Sequence, residues 1–495
     1  MPRLKKPTLP LLTLYISECT IKAGKIALML ILLVLFMSFN CVLLNAQQRT
    51  VGIQAGTKIL AAKEGELPFW QFSNVLGTVD QSGTNYISFT KAQTKLYDAE
   101  NFHIGANMTV LGRLSNDNSL HLPKYRFSIN WHDFQFDVGR FARPVGFNNH
   151  NLSTGSMIES NNAIPLNRIM VSNPVYKQVP FTNGVVEYKG KISHGWFSDE
   201  RFTRDAFLHQ KDLFAKINLN NISLKGGLSH NVMWGGSNEK NGKLPSGFGD
   251  FIDVFFGKSA DQDDNVPEGE ITNRLGNILL YFAFALDYEH DRFDLSLTRS
   301  FLKEDTGSKA TRSPWDGIFG VNFSFEENKP LFGFLDNILY EYINTIRQQA
   351  KDEEARGRAN FYNNTVVYKN GWTSKGRVIA NSLAIFDSEI DPDGRVSNNM
   401  FIGHNLGLEG ELSEYLAMKL LITYSRNYGR MKDRRNDLPR EEGMDRQSKK
   451  LFRDRSEFRK DQYSLRLAAD YAISSNHKWV INTSLNWDTG ELYTD

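Results

Sequence analysis

The main pattern in this chain is a period-two alternation of apolar and polar residues over positions 275–302. Two arms share one apolar face, and a polar turn at residues 289–292 separates them. The apolar positions are Leu280, Phe282, Phe284, Leu286, Tyr288, Phe293, Leu295 and Leu297, and the polar positions of the return arm are Asp294, Ser296, Thr298 and Ser300. This alternation predicts an antiparallel β-hairpin. The apolar face could pack on a second sheet in a sandwich or face lipid in a barrel, so the hairpin alone leaves both architectures open.

Similar alternation recurs along the chain and predicts many more strands. They cover residues 87–97, 102–114, 125–131, 134–141, 185–192, 213–219, 222–232, 318–325, 338–346, 378–386, 406–412, 417–428, 462–473 and 478–487. Some turns between them are short and polar, such as Asn220-Asn221, whereas others are long and irregular, and this asymmetry is typical of outer-membrane barrels. Residues 246–257 instead predict a short helix, which we expect to be a plug or a periplasmic cap and not a lipid-facing element.

The N-terminal residues have the pattern of a secretory signal. Lys22 and Lys25 precede an apolar run at residues 26–44, and Ala46 ends the segment before a polar stretch. We predict a signal peptide at residues 1–46 and a barrel over 47–495, with a retained transmembrane anchor as the less favoured alternative because polar residues interrupt the run. Cleavage would remove both cysteines, so a closed hydrogen-bonded barrel or a large core would have to hold the mature chain together.

Composition is compatible with a barrel and argues against nucleic acid as a partner. The net charge of +2 for the whole chain becomes about −2 without the signal peptide, and no global basicity remains. Mean hydropathy is negative, as expected where half of each strand faces water, and no apolar run beyond the leader is long enough for a spanning helix. Aromatic residues make up 12% of the chain, many at predicted strand ends where an interfacial girdle would lie. The sequence therefore predicts an all-β transmembrane antiparallel β-barrel with short helical plug elements.

The longest polar segment, residues 430–460, contains twelve Lys or Arg and seven Asp or Glu. Its simpler interpretation is a solvated loop. The functional interpretation is a basic surface for acidic polysaccharide or for lipopolysaccharide phosphate, with Arg434, Arg435, Lys449 and Lys450 as candidate contacts.

No motif for catalysis or metal binding appears in the sequence. There is no nucleophile elbow, phosphate loop, HExxH or clustered Cys/His pattern. Glu289, His290 and Asp291 lie together in a predicted tight turn, and Asp391 and Asp393 fit a turn better than a glycosidase pair. We therefore predict a protein that is not an enzyme and that needs no cofactor or metal. An envelope glycan-modifying enzyme is the alternative, and it would require acids converging in one pocket.

Sugar binding commonly uses aromatic faces beside planar polar groups. The candidates of this kind are Trp196, Trp234, Trp372 and Arg377. The structural alternative is that the tryptophans are girdle anchors and that Arg377 forms an ion pair in the lumen.

Residues 360–379, NFYNNTVVYKNGWTSKGRVI, resemble a segment of the outer-membrane capsule assembly protein Wzi family, in its Bacteroidetes branch. Further segments that are similar in order are residues 67–70 with Asn74 and Gly77, 208–213, 230–236 and 339–345. The resemblance implies an eighteen-stranded outer-membrane barrel with helical elements closing the periplasmic side and loops closing the outside. It also implies a lectin-like role in holding exported capsular polysaccharide at the cell surface.

The resemblance leaves two functions to separate and one departure to explain. We expect a monomer in the cell outer membrane whose partners are capsular or other surface polysaccharide, outer-membrane lipid and lipopolysaccharide. The alternative is a porin-like channel for small solutes, which large steady openings in planar bilayers would support.

The sequence ends at residues 492–495 without a strand that has a terminal aromatic, so we expect the last closing strand to be missing.

Overall fold

A computed structural model of the chain describes residues 51–63, 65–198, 200–259, 275–304, 315–326, 330–346, 348, 361–362, 367–386, 396–429, 459–473 and 479–493. The predicted signal peptide lies outside these residues. So do the basic-loop candidates Arg434, Arg435, Lys449 and Lys450.

The described residues form 24 strands and two helices. The strands are β1 Val51–Leu60, β2 Asn85–Ala99, β3 Phe102–Leu114, β4 Ser119–Trp131, β5 Phe134–Arg140, β6 Asn167–Ser172, β7 Lys177–Gln178, β8 Val186–Trp196, β9 Phe207–Leu219, β10 Ile222–Trp234, β11 Ser237–Asn238, β12 Gly242–Lys243, β13 Asn277–His290, β14 Phe293–Glu304, β15 Gly317–Phe325, β16 Asn337–Asn344, β17 Thr373–Ser374, β18 Arg377–Val378, β19 Ile385–Phe386, β20 Val396–Asn398, β21 Phe401–Ser413, β22 Leu416–Asn427, β23 Lys460–Ala472 and β24 Val480–Gly490. The helices are α1 Phe69–Phe72 and α2 Phe248–Phe256.

The predicted hairpin is present as β13 and β14, joined by the two residues Asp291 and Arg292. Its apolar face points outward, where the side chain of Phe284 is 46% exposed. On the opposite face Thr298 donates a hydrogen bond to Asn148, a residue inside the barrel. The alternation is therefore apolar outward and polar inward, as a lipid-facing barrel requires.

One antiparallel sheet contains all the long strands. Each long strand pairs with the next long strand along the chain, and within the described residues β1 and β24 are the two ends of this order. The sheet curls around α1, which follows β1 and yet contacts the last strands. Trp70 Nε1 donates to Thr423 Oγ1 of β22 at 3.2 Å, and the Phe69 amide donates to Asp488 Oδ2 of β24 at 2.8 Å. The predicted all-β antiparallel barrel is confirmed.

The two ends of the barrel differ in their connections. At the short-turn end, two residues suffice at 100–101, 132–133, 220–221, 291–292 and 414–415. His132 and Asn220 have φ of 50° and 54° there, a left-handed conformation that Asn tolerates well in tight turns. The longest connections all leave the opposite, long-connection end, at residues 61–84, 141–166, 235–276, 345–400 and 428–459. The predicted asymmetry between short and long connections is confirmed.

One predicted strand is wrong. Residues 378–386 form no barrel strand but lie inside the barrel, where only their ends pair in the small ladders β17–β18 and β19–β20. Ala380, Leu383 and Ala384 are buried there. An apolar segment packed inside a barrel has the same composition as a wall strand, so alternation could not separate the two cases. The strands β1 and β6 were not predicted.

The helix expected at residues 246–257 is present as α2, but its expected location is wrong. It packs on the outer wall over β8, β9 and β10, where the Phe251 ring lies 5.2 Å from His209 and 6.0 Å from Trp234. Phe248 and Phe256 are 80% and 67% exposed on its free side. Of the two helices in the described residues, α1 is the one inside the barrel. Among the described residues, no helix has the length and apolarity needed to cross a membrane.

Candidate functional site

The described parts of three long connections fold back into the barrel and fill its interior. We call residues 61–84, 141–166, 361–362 and 367–386 the plug. Its apolar side chains share one core with the inner wall. The buried plug members include Leu67, Phe69, Phe72, Leu152, Met157, Ile158, Tyr362, Trp372 and Leu383, and the wall contributes Leu208, Met233, Tyr281, Ile343 and Leu421. A barrel interior lined by polar side chains alone would hold water, whereas this one is packed.

A buried ion network fixes the 141–166 connection to the wall. Glu159 lies between two arginines, with Arg168 Nη2 at 2.6 Å from Oε1 and Arg143 Nε at 3.4 Å from Oε2. Arg143 also pairs with Asp212 of β9 and donates to Asn231 of β10. These four charged side chains are at most 3% exposed. Two arginines and two acids therefore pair out of contact with water, and the partly exposed Lys191 approaches Asp212 at 3.8 Å as a third cation.

The charges around Glu159 decide its protonation state. Burial by itself would raise the pKa of this carboxyl, but Arg168 and Arg143 outweigh burial and hold the pKa below its usual range. The carboxylate is therefore the stable form, and the network depends on its charge.

A second buried acid, Glu341 of β16, receives the tip of the same connection. Its Oε1 accepts hydrogen bonds at 2.6 Å from Asn148 Nδ2 and from Ser153 Oγ. Its Oε2 accepts the Thr154 amide at 3.0 Å and Asn405 Nδ2 at 3.1 Å. The acid is therefore held by hydrogen-bond donors, three of which the plug supplies, and not by a cation.

Trp372 belongs to the centre of the plug. Its indole Nε1 donates to the Ile158 carbonyl oxygen at 2.7 Å, and its amide donates to the Tyr362 carbonyl oxygen at 2.7 Å. The Tyr362 hydroxyl in turn donates to the Met157 carbonyl oxygen at 2.8 Å. Burial raises the pKa of this hydroxyl, so it stays a donor. The Trp372 side chain is fully buried and joins two connections of the plug.

Arg377 also lies in the plug, in contact with the 61–84 connection. Its guanidinium stacks over the Phe72 ring at 4.9 Å and donates to Gln81 Oε1 and to the Val79 carbonyl oxygen, both at 3.3 Å. Burial lowers the pKa of this guanidinium from its ordinary value. Its contacts hold plug segments together.

The other two aromatic candidates lie on the outer wall. Trp196 ends β8 with its side chain 38% exposed, and its ring is 5.3 Å from His194. Trp234 ends β10 and is buried beneath Phe251 of α2. The structure thus brings Trp196 and Trp234 together on the outside, and Trp372 and Arg377 together on the inside. It does not bring all four into one site.

The residues that anchor the plug were not found by sequence reasoning. Glu159 lies 16 and 9 residues from Arg143 and Arg168, but Arg143 and Asp212 are 69 residues apart, and the barrel brings these two together. A weak signal existed, because Asp212 and Glu341 are acids within otherwise ordinary alternating strands. In the described residues no group of three or more His, Cys, Asp or Glu side chains is arranged to hold a metal ion.

The segments that carried the family resemblance all reach the plug. Residues 67–70 form its first part, and 360–379 provide Trp372 and Arg377. The wall segments 208–213, 230–236 and 339–345 provide Asp212, Asn231 and Glu341. These segments therefore define the contact between plug and wall.

Comparison with known proteins agrees with this architecture. The family model for capsule assembly protein Wzi matches residues 71–385. Wzi of Escherichia coli, described as an outer-membrane protein involved in group 1 capsule assembly and a carbohydrate-binding β-barrel, superimposes with a TM-score of 0.52 at 11% identity, covering 90% of this chain and 80% of that one.

Other solved outer-membrane barrels are more distant in structure. OpdL of Pseudomonas aeruginosa gives a TM-score of 0.38 at 9% identity, covering 89% of this chain and 97% of that one. A loop-deletion mutant of OmpT of Vibrio cholerae gives 0.33 at 7% identity, covering 90% and 95%. No curated protein matches the chain. The match to the family model covers more than half of the sequence, so the chain belongs to the capsule assembly protein Wzi family and is a β-barrel of the outer membrane.

Proposed function

We propose that the protein binds and organises capsular polysaccharide at the cell surface, as a lectin-like protein that is not an enzyme. The observation that carries this proposal is the plug. In the described residues, three long connections fill the interior, so the long-connection end offers a surface on which a polymer can lie. Long connections are extracellular in barrels of this class, which puts that surface where exported polysaccharide is found.

The related structure supports the class of ligand. Escherichia coli Wzi is described as a carbohydrate-binding β-barrel involved in group 1 capsule assembly. At 11% identity this likeness shows the fold, and carbohydrate binding by the present chain rests on our proposal.

The basic loop is the proposed contact for acidic sugars. β22 ends at Asn427 and β23 begins at Lys460, and both of these strand ends lie at the long-connection end of the barrel. Arg434, Arg435, Lys449 and Lys450 remain candidates there. Trp372 and Arg377 are occupied in plug contacts, so among the described candidates Trp196 keeps the most exposed side chain.

A channel remains the second candidate because the inner wall near the short-turn end is polar. Lys216 Nζ lies 3.5 Å from Glu187 Oε2, and Lys419 Nζ lies 3.3 Å from Glu409 Oε2. Planar-bilayer recordings separate the two functions. A lectin with a closed plug gives no large steady conductance, whereas a porin does.

Binding tests the proposal directly. The full chain, purified in detergent from the outer-membrane fraction of its native host, is titrated with capsular polysaccharide from the same cells. We expect saturable binding by the wild type and weaker binding by R434E/R435E and by K449E/K450E. The control K95E/R292E makes the same charge change at the short-turn end and should bind normally.

Two results would overturn the proposal. One is the absence of saturable binding together with large steady conductance, which supports the channel. The other is an equal loss of binding in the control, which would show that net charge and not the loop attracts the polymer.

A single barrel is proposed as the working unit, and sedimentation of the protein–detergent complex measures this. The Bacteroidetes branch, the signal peptide at residues 1–46 and the missing closing strand stay predictions.

A further inference from the structure

The outer wall carries two adjacent polar residues, Lys211 and His230, where a lipid-facing surface would have apolar ones. Lys211 of β9 points outward, opposite to Asp212, and its direct cross-strand partners are Ile192 and His230. Beyond His230 the same row continues to Leu280 of β13. A lysine on the lipid face of an outer-membrane barrel is destabilising, most of all near the midplane and less towards the interface. Such a residue therefore needs a compensating partner.

The described residues provide only part of this compensation. Lys211 Nζ donates to the Phe255 carbonyl oxygen at the end of α2 and lies 4.2 Å from the centre of the Phe255 ring. An ammonium group has three donors, and no carboxylate of the described residues pairs with this one. His230 is buried beside it, and its Nδ1 has no hydrogen-bond partner in the part of the chain that the structure describes. Hydrogen-bonding groups for an external ligand are thus present at one point of the wall.

An apolar groove in the outer wall begins at these groups. It has a volume of roughly 670 Å³ and crosses the wall from Phe134 of β5 to Phe284 of β13. Its apolar lining on the lipid face includes Val171, Ile192, Leu213, Leu228, Phe282 and Phe284, and Lys211 and His230 lie at its α2 end. Gly190 also lines the groove and brings no side chain into it. The groove therefore has the shape for a chain of apolar groups and the charge for an anion at one end.

We propose that this groove binds one molecule of the phosphorylated glycolipid of the outer leaflet, lipid A, the lipid part of lipopolysaccharide. An acyl chain would lie along the groove, and a phosphate would accept hydrogen bonds from the partly exposed ammonium group of Lys211. The leaflet follows from α2, which belongs to a connection of the long-connection end and hence of the extracellular side. Lipopolysaccharide forms that leaflet.

The helix α2 fits the same location. Phe248 and Phe256 are exposed on its free side, and Asp250 caps its first turn by accepting the Gly247 amide at 2.7 Å. A short helix with one apolar face exposed beside a membrane lies in the interface plane, with the aromatic rings in the lipid. It would thus cover the phosphate site from the outside while its C-terminal carbonyl holds Lys211. This site is separate from the proposed polysaccharide surface and does not depend on it.

Native mass spectrometry of the detergent-purified full chain tests the proposal, with lipid A as the probe and phosphatidylglycerol as the competing probe. We expect one tightly retained lipid A per chain. K211M removes the charged donor and should lower affinity by about tenfold, as expected for a hydrogen bond to a charged group. K211R keeps a cation and should retain most of the affinity. L228W fills the groove with a side chain that lipid tolerates, and should lower affinity without changing charge.

The matched control for the groove is I217W. Ile217 is an outward residue of the same strand β9, is 39% exposed, and lies outside the groove lining. Heat-dependent gel migration verifies that every variant folds as a barrel. Three results would overturn the proposal: no retained lipid in the wild type, preferred retention of phosphatidylglycerol, or equal losses in L228W and I217W. The last would show general annular lipid and no specific site.

Discussion

The two faces of β9 and β10 place their charged side chains in different surroundings. Each face carries buried polar side chains, and neighbouring residues such as Lys211 and Asp212 point in opposite directions. On the inner face, Asp212 meets Arg143 of the plug, so the chain itself supplies the opposite charge. On the outer face, the contacts of Lys211 within the described residues are a helix carbonyl and an aromatic ring. Asp212 is thus paired by the protein, whereas the partly exposed Lys211 keeps hydrogen-bond donors for the membrane.

The difference shows what each face is for. A buried charge that loses its partner is strongly destabilising, so the inner network acts as a lock on the plug. An incompletely bonded cation beside an apolar groove adds little to folding and can instead recognise a lipid. The predictions below test this division, beginning with the largest expected effect.

The adjacent substitutions D212N and K211M test the separation of the two faces most directly. D212N leaves Arg143 with one acid fewer in a buried site, and breaking such a pair costs about 3–5 kcal/mol. We expect the open probability of the pore in planar bilayers to rise about a hundredfold or more. K211M, one residue away on the outer face, should leave the pore closed. Opening by both variants to the same extent would contradict the separation of the two faces.

Glu341→Gln should open the plug to a smaller degree. The amide nitrogen of glutamine would face donors such as the Thr154 amide, so at least one charge-assisted hydrogen bond is lost, which is worth about 1.5–3 kcal/mol. Conductance at rising urea concentration measures the effect. The control E187Q removes a carboxylate from the partly exposed pair with Lys216 and should change stability by less than about 1 kcal/mol. A larger effect in E187Q would show that the short-turn half and not the plug limits closure.

Acid should weaken the plug through Glu159. Arg168 and Arg143 hold the pKa of this carboxyl below its ordinary value of 4.5. The carboxylate therefore stabilises the closed plug at all pH values above about 4.5, and this stabilisation is lost as pH falls through the lower folded-state pKa. The loss should be smaller than that in D212N because a protonated carboxyl can still accept hydrogen bonds.

The urea midpoint of conductance, measured from neutral pH downward, tests this prediction. The wild type should show no change between pH 7 and about 5 and then a fall. E159Q should start lower and lose part of the acid dependence. An acid dependence of the same size in E159Q would assign the effect to other carboxyls.

Tyr362→Phe should have the smallest effect among these changes. It removes only the hydroxyl that donates to the Met157 carbonyl oxygen, so about 1 kcal/mol of plug stability is expected to be lost. Tyr176→Phe is the matched control, because the buried Tyr176 hydroxyl has no partner in the described residues. Loss of stability in the control alone would contradict the assignment of the Tyr362 bond to the plug.

Much of the wall could be predicted from the sequence. The alternation of β13 and β14, with Phe284 on one face and Thr298 on the other, defines both the hairpin and its two environments. The turn residues Asn220-Asn221 mark the short-turn end through their tolerance of the left-handed conformation. These features are local, because strand period and turn chemistry depend only on neighbouring residues.

The plug could not be predicted in this way. Residues 378–386 look like a strand in sequence and yet fill the interior, because inward packing and outward lipid contact both select apolar side chains. The helix α2 was predicted correctly as a helix and wrongly as a plug or cap, because its apolar residues do not specify which side of the wall they cover. Both outcomes depend on whether a connection folds against the inner or the outer face of the curved sheet.

The sequence by itself thus determined the all-β class, the hairpins, the asymmetry of the connections and the family resemblance. Only the tertiary structure decided which charges meet, since Arg143 pairs with Asp212 from 69 residues away and Glu159 reaches Gln210 of β9 from 51 residues away. It also decided which of the neighbours Asp212 and Lys211 faces the protein interior and which faces lipid. Strand alternation puts these neighbours on opposite faces, but only the curvature of the whole sheet around the plug makes one face a protein interior and the other a surface for lipid.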